Sequence, residues 1–134
     1  MSVEEDKPQN LDIPEHLEYS EEHVWVDQSV EPAIIGVTEY AVSQLGDLVF
    51  IDMPEVGTRV EAGDEILELE SSKAVEPLIS PVAGVIRYVN QGAADDPSVV
   101  NNDPYGEGWI VKIELDDDEP ELLDADAYAA MISK

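Results

Sequence analysis

The sequence predicts a mainly β fold, a small sandwich or flattened barrel, with one short internal helix and one helix near the C-terminal end. Three observations predict it. Val, Ile and Leu recur in strand-length runs that alternate with polar residues. Gly, Pro, Asn, Asp and Ser interrupt those runs at short, regular intervals. The chain has 134 residues and is 43% hydrophobic, enough for one compact domain with a modest core.

Residues 1–16 are polar and acidic, carry Pro8 and Pro14, and read as a flexible lead-in; the domain is expected to run from 17 to 134. Tyr19 to Val26 and Val30 to Val37 form the expected opening strands, with Asp27, Gln28 and Ser29 between them as turn residues. Thr38 can cap a short helix over residues 39–45, and Gly46 suits the left-handed position past its end. Strand pattern returns from Leu48 to Met53 and at Arg59 and Val60, separated by turns at Pro54–Gly57 and Ala62–Asp64. Two apolar runs follow, 65–69 and 75–79, joined by a turn at Ser71, Ser72, Lys73 and Ala74. Val82 to Val89 reads as a strand in which Gly84 permits a bulge or a close backbone approach. The segment before that turn (56–60) and the one after it (82–86) resemble each other faintly, a weak repeat signal.

Asn90 to Gly108 is rich in turn formers and reads as a long loop with a helical turn at 97–100. In the last strand, Trp109, Val111, Ile113 and Leu115 share one face and Lys112 and Glu114 the other. A helix over 122–132 is expected to bury Leu122, Leu123, Ala127, Ala130 and Met131 against the sheet.

Charge narrows the function classes. Asp and Glu number 32 against 6 Lys and Arg, a formal net charge of -26. A nucleic-acid binder needs clustered cations, and none exist here. The carboxylates spread along the whole chain, which argues against nucleic-acid mimicry on one face. Such self-repulsion is screened in strong salt, where the Debye length falls to about 3 Å at 1 M, so the composition points to an extreme halophile. No cysteine is present, so any redox chemistry must be attached rather than built in. No segment is apolar enough to span a bilayer, and the acidic start lacks a signal-peptide core; a soluble cytoplasmic protein is expected.

The scarcity of cations makes each one informative. There are four lysines, Lys7, Lys73, Lys112 and Lys134, and two of them lie in the terminal segments. Lys112 reads as a solvent-facing strand residue. Lys73 sits instead on the turn between two strands, flanked by small residues that leave it open to a modifying enzyme. Other candidates are weaker. His16 and His23 are the only histidines and would need carboxylates to complete a metal site, so no metal is expected; His23 reads as a surface strand residue. Ser71 and Ser72 lack a nucleophile elbow and a neighbouring base. The acidic run 116–119 lacks the glycine and distal glutamate of a calcium loop, and the glycines at 106 and 108 are followed by no lysine.

From Tyr19 onward, several separated segments resemble the glycine cleavage system H protein family, a family of lipoyl carriers. They are His23–Val26, Ile35–Ala41, Gln44–Phe50, Glu70–Val75, Ser80–Gly84 and Val100–Trp109, together with the terminal helix. The resemblance implies a lipoyl-domain-like barrel-sandwich hybrid with lipoate in amide linkage to Lys73. Biotin carriers usually flank their lysine with methionines, whereas Ser72 and Ala74 stand here, which favours lipoate. Two positions depart from the family pattern near the cleft that shelters the loaded arm: Val24 where Glu is frequent, and Pro77 where Asp is frequent.

The implied role is a carrier and not an enzyme. Its implied partners are the lipoate-attaching enzyme, a pyridoxal-phosphate glycine decarboxylase (P protein), a folate-dependent aminomethyltransferase (T protein) and dihydrolipoyl dehydrogenase (L protein). A monomer suits such serial docking. Two alternatives stay open at this point: an acyl carrier for a 2-oxoacid dehydrogenase complex, whose lipoyl domains resemble the same hairpin, and an unlipoylated interaction module.

Overall fold

Two antiparallel sheets face each other across an apolar core in a computed structural model that describes residues 11–116 and 121–133. In chain order the elements are β1 (Glu18–Tyr19), β2 (Val24–Asp27), β3 (Ala33–Val37), α1 (Glu39–Leu45), β4 (Leu48–Ile51), β5 (Arg59–Val60), β6 (Glu65–Ser71) and β7 (Val75–Ile79). They continue as β8 (Gly84–Val89), α2 (Gln91–Asp95), α3 (Ser98–Asn102), β9 (Val111–Leu115) and α4 (Ala125–Ile132). One sheet has six strands in the order β1-β2-β3-β9-β8-β5, and the other has three, β4-β6-β7. The sheets remain separate, so the mainly β fold is a sandwich rather than a closed barrel.

Alternation builds the core between them. Val24, Val26, Ile35, Ile86, Val111 and Ile113 from the large sheet meet Leu48, Ile51, Leu67, Leu69 and Leu78 from the small one. A second cluster lies on the outer face of the large sheet, where Leu17, Tyr19 and Trp25 pack against Ala125, Tyr128 and Ile132 of α4. Tyr19 and Tyr128 stack there with ring centroids 4.8 Å apart. Trp25 pairs across the strands with Gly36 and covers it: a Cβ on Gly36 would lie 2.6 Å from the indole. The indole N–H donates to the Pro104 carbonyl at 3.0 Å, pinning the turn before β9.

Local signals explain α1. Thr38 accepts the Ala41 N–H as its N-cap, and Gly46 ends the helix at φ 82. Gly84 lies so close to the Glu114 carbonyl of β9 that a side chain there would collide with it.

Elsewhere the structure differs from the sequence expectations. The first strand is split into β1 and β2, because Ser20–His23 form a turn in which His23 adopts φ 70. The expected long loop after Asn90 contains two helices, of which α3 falls at the expected helical turn and α2 is unexpected. The Asn90 side chain caps α2 by accepting the Ala93 N–H, and its Nδ2 donates to the Glu107 and Trp109 carbonyls. Trp109 precedes β9 and lies under Lys112, whose Nζ is 4.9 Å from its ring centroid, so Trp109 does not share the Val111 face. The terminal helix begins at Ala125, capped by Asp124, and buries Ala125, Tyr128 and Ile132 while Ala127 and Ala130 face solvent. Leu123 instead exchanges backbone hydrogen bonds with Tyr19.

Of the lead-in, residues 1–10 lie outside the described residues. Residues 12–14 are tied to the fold: Asp12 N–H donates to Glu39, the Asp12 carbonyl accepts from Tyr105, and the Pro14 carbonyl accepts from Tyr19. Among the described residues, no helix is long and apolar enough to cross a membrane.

Candidate functional site

The β6–β7 hairpin places Lys73 at its tip. Glu70 pairs with Val75 as the last rung, leaving Ser72, Lys73 and Ala74 exposed beyond it. Ser71 builds the turn without a glycine. Its buried hydroxyl oxygen accepts the Lys73 and Ala74 N–H groups, both at 3.1 Å, while its own N–H donates to the Ala74 carbonyl at 2.8 Å. Ser71 and Ser72 are thus turn residues, and no histidine stands beside them among these contacts.

The tip is also braced from outside. Ser72 N–H donates to the Asp47 carbonyl at 3.0 Å, in the segment that links α1 to β4. The Lys73 side chain lies over Gly46, where an added Cβ would stand 3.1 Å from Cε. Any larger residue at 46 would crowd the lysine stem.

Lys73 differs electrostatically from the other internal cations. Arg59 bridges Glu61 and Asp116, Arg87 pairs with Glu114 at 2.6 Å, and Lys112 sits over the Tyr88 and Trp109 rings. The Arg59 guanidinium holds the Asp116 carboxyl below its ordinary range. Among the described residues Lys73 forms no ion pair, so its amine is not committed to another side chain. Its side chain is thus left open to solvent.

Beside the hairpin, a cleft of about 390 Å³ runs between α1 and β7. Its walls are Val24, Val37, Leu69 and Leu78 with Tyr40 and Gln44 of α1, and two carboxylates, Glu22 and Glu76, stand on its lining. Pro77 lines it too, while Val24 is a buried strand residue.

His23 lines the cleft too. Its Nδ1 is 2.9 Å from the Tyr128 hydroxyl, which is 2.8 Å from the Thr38 hydroxyl, so the N-cap of α1, the terminal helix and the cleft share one polar chain. Burial pushes the His23 imidazole below its ordinary range, and Glu22 opposes that shift. Burial likewise pushes the Tyr128 phenol up to about 12. His23 is therefore a structural member of the cleft wall, joined to no metal cluster among the described residues.

The sequence reading located Lys73 and the helix before Gly46. It missed Asn101, which holds that segment, and the His23–Tyr128–Thr38 chain, because those partners are 53 to 105 residues apart. The positive φ at His23 was equally invisible, since its strand-like neighbours mask it.

Comparison with known proteins agrees with this geometry. A family model described as glycine cleavage H-protein matches residues 17–134. A glycine cleavage system H protein of Bifidobacterium longum is 74% identical over 129 residues, covering 96% of this chain and 94% of the relative. One from Cronobacter sakazakii is 45% identical over 123 residues, 90% of this chain and 95% of the relative. The crystal structure of a glycine cleavage system H protein from Mycobacterium marinum superposes with a TM-score of 0.85 at 41% identity, covering 91% of this chain and 100% of that one. With its lysine-tipped hairpin on a two-sheet sandwich, this chain belongs to the glycine cleavage H-protein family, whose members are carriers and not enzymes.

Proposed function

We propose that residues 17–134 form a single carrier domain that bears lipoate in amide linkage on Lys73. On this reading the chain shuttles the aminomethyl group of glycine from a pyridoxal-phosphate glycine decarboxylase (P protein) to a folate-dependent aminomethyltransferase (T protein). Dihydrolipoyl dehydrogenase (L protein) then reoxidises it, and a lipoate-attaching enzyme loads it beforehand. The observation that carries the reading is Lys73, exposed on a hydrogen-bonded hairpin tip and in no ion pair among the described residues, in a chain of this family.

The residues fit the group. The amine is open to acylation, and the cleft beside it combines apolar walls with Glu22 and Glu76, a lining suited to an aliphatic arm ending in a cation. Amide formation removes the lysine charge and extends the tether to roughly 14 Å. Lipoate supplies a dithiolane that accepts and releases a group at sulfur. The protein's part is presentation: Ser71 and the Asp47 carbonyl fix the root of the tether, and Gly46 leaves room for the lysine stem. A monomer in the cytoplasm suits repeated docking to several enzymes.

Intact and peptide mass spectrometry of the chain from its native host tests this. One lipoyl group on Lys73, absent after Lys73→Arg, is the expected result; an unmodified Lys73 in growing cells overturns it. The net charge of -26 supports a salty host interior through screening alone. Its test is thermal unfolding between about 0.1 M and 2 M KCl, where the melting temperature should rise as the Debye length shrinks; equal stability at both ends removes that support.

A further inference from the structure

The side chain of Asn101, on α3, is engaged at both ends. Its Oδ1 accepts the Leu48 N–H at 2.9 Å, and its Nδ2 donates to the Gly46 carbonyl at 2.8 Å. Backbone N–H and C=O leave no choice in the assignment, because one can only donate and the other only accept. The two bonds bracket Asp47, whose carbonyl receives the Ser72 N–H at the lysine turn. They also fix Gly46, the residue on which the Lys73 stem lies. One carboxamide thus holds three consecutive residues that form both the brace and the floor of the tip.

We propose that Asn101 is a positioning residue for Lys73, setting from α3 the direction in which the tether leaves the hairpin. The Ser71 bonds shape the turn from within but do not tie it to the helices; the Ser72–Asp47 bond does. That bond continues the β4–β6 pairing, in which Leu48 lies opposite Ser71, beyond the start of β4, and Asn101 bonds both residues that flank its acceptor. Gly46 is anchored on its amide side by the Val42 carbonyl at the end of α1 and on its carbonyl side by Asn101. The lysine stem is thereby directed along the end of the helix whose residues 40, 41, 44 and 45 line the cleft. This rests on the reading of Lys73 as the lipoyl-bearing residue.

The test compares Asn101→Ala, Asn101→Asp and Ile113→Val, the last a mild core destabilisation in the large sheet, by amide hydrogen exchange on the unmodified chain. Asn101→Ala should speed exchange at Ser72 and Leu48 by about tenfold beyond any global change read at Ile35 and Ile113. Asn101→Asp keeps an acceptor for Leu48 and loses the donor to Gly46, so it should speed Ser72 and spare Leu48. A second readout is lipoylation of Lys73 by a lipoate–protein ligase with lipoate and ATP. Asn101→Ala should lower kcat/KM by about fivefold while Ile113→Val leaves it unchanged. Exchange at Ser72 that rises no more than at Ile113, or acceptor kinetics that match those of Ile113→Val, overturns the proposal. If the wild-type chain takes no lipoyl group, the proposed function fails instead, and the exchange data still decide the clamp.

Discussion

The two sheets are buried to different degrees. The six-stranded sheet is covered on both faces along β1–β3, by the inter-sheet core on one and by α4 with the Tyr19–Trp25 cluster on the other, while Tyr88 of β8 stays 56% exposed. The three-stranded sheet packs on its inner face only, and its outer face exposes Phe50 at 52% and Val75 at 53% in one cross-strand row with Glu70. The sheet that carries Lys73 thus keeps a free apolar surface, whereas the β1–β3 part of the other sheet is packed on both sides. The inner face of the lysine-bearing sheet still serves the core through Leu67, Leu69 and Leu78, and only its outer face is free of that demand.

Four experiments can break that contrast or sharpen it. The largest effect belongs to Trp25, 2% exposed and bonded to Pro104: Trp25→Ala should cost about 3–5 kcal/mol in urea unfolding. A cost near zero would deny the large sheet its role as scaffold. Next is Gly46→Ala, which forces a side chain into φ 82 and against the Lys73 stem; a loss of about 1–2 kcal/mol is expected, with slower acylation of Lys73.

A smaller effect should appear at His23. Its folded pKa lies below the unfolded 6.5, so the unfolded chain binds the proton more tightly. The stability tied to the neutral imidazole is full above about pH 6.5 and falls as acid carries the pH from there toward the folded pKa. His23→Asn, which tolerates the positive φ, should flatten the slope of stability against pH between about pH 7 and 5.5. Parallel slopes for the two proteins would contradict a half-buried ring held below its ordinary pKa. Smallest of all, Phe50→Ala on the free face should change stability by no more than about 0.5 kcal/mol in the same urea assay. A loss like that of Trp25 would mean the two sheets are not distinct.

What the sequence made legible follows the range of the interactions. The Thr38 cap and Gly46 stop sit within one short stretch, so α1 could be placed to the residue. The β6–β7 hairpin and its lysine were visible for the same reason: alternation and small turn residues are local facts. The helix α3 was foreshadowed only as a helical turn at 97–100, and α2 was not visible, because each spans five residues and α2 depends on tertiary support such as the bonds from Asn90 to Glu107 and Trp109. The buried face of α4 was misread since alanines dominate its apolar pattern, whereas the residue that enters the core is Tyr128, whose hydroxyl finds Thr38 and His23. The resemblance to the family supplied the lipoyl assignment, which no local pattern of this chain could have given alone.

Pro77 has a consequence beyond the cleft. It lies in β7, which pairs with β6 on one side and, among the described residues, has no strand on the other, while α2 and α3 pack near β4 at the opposite edge. A proline offers no N–H to a newcomer, so the open edge cannot accept a full ladder from a second chain. The small sheet can therefore display Val75 and Phe50 to solvent with one route to edge-to-edge aggregation blocked.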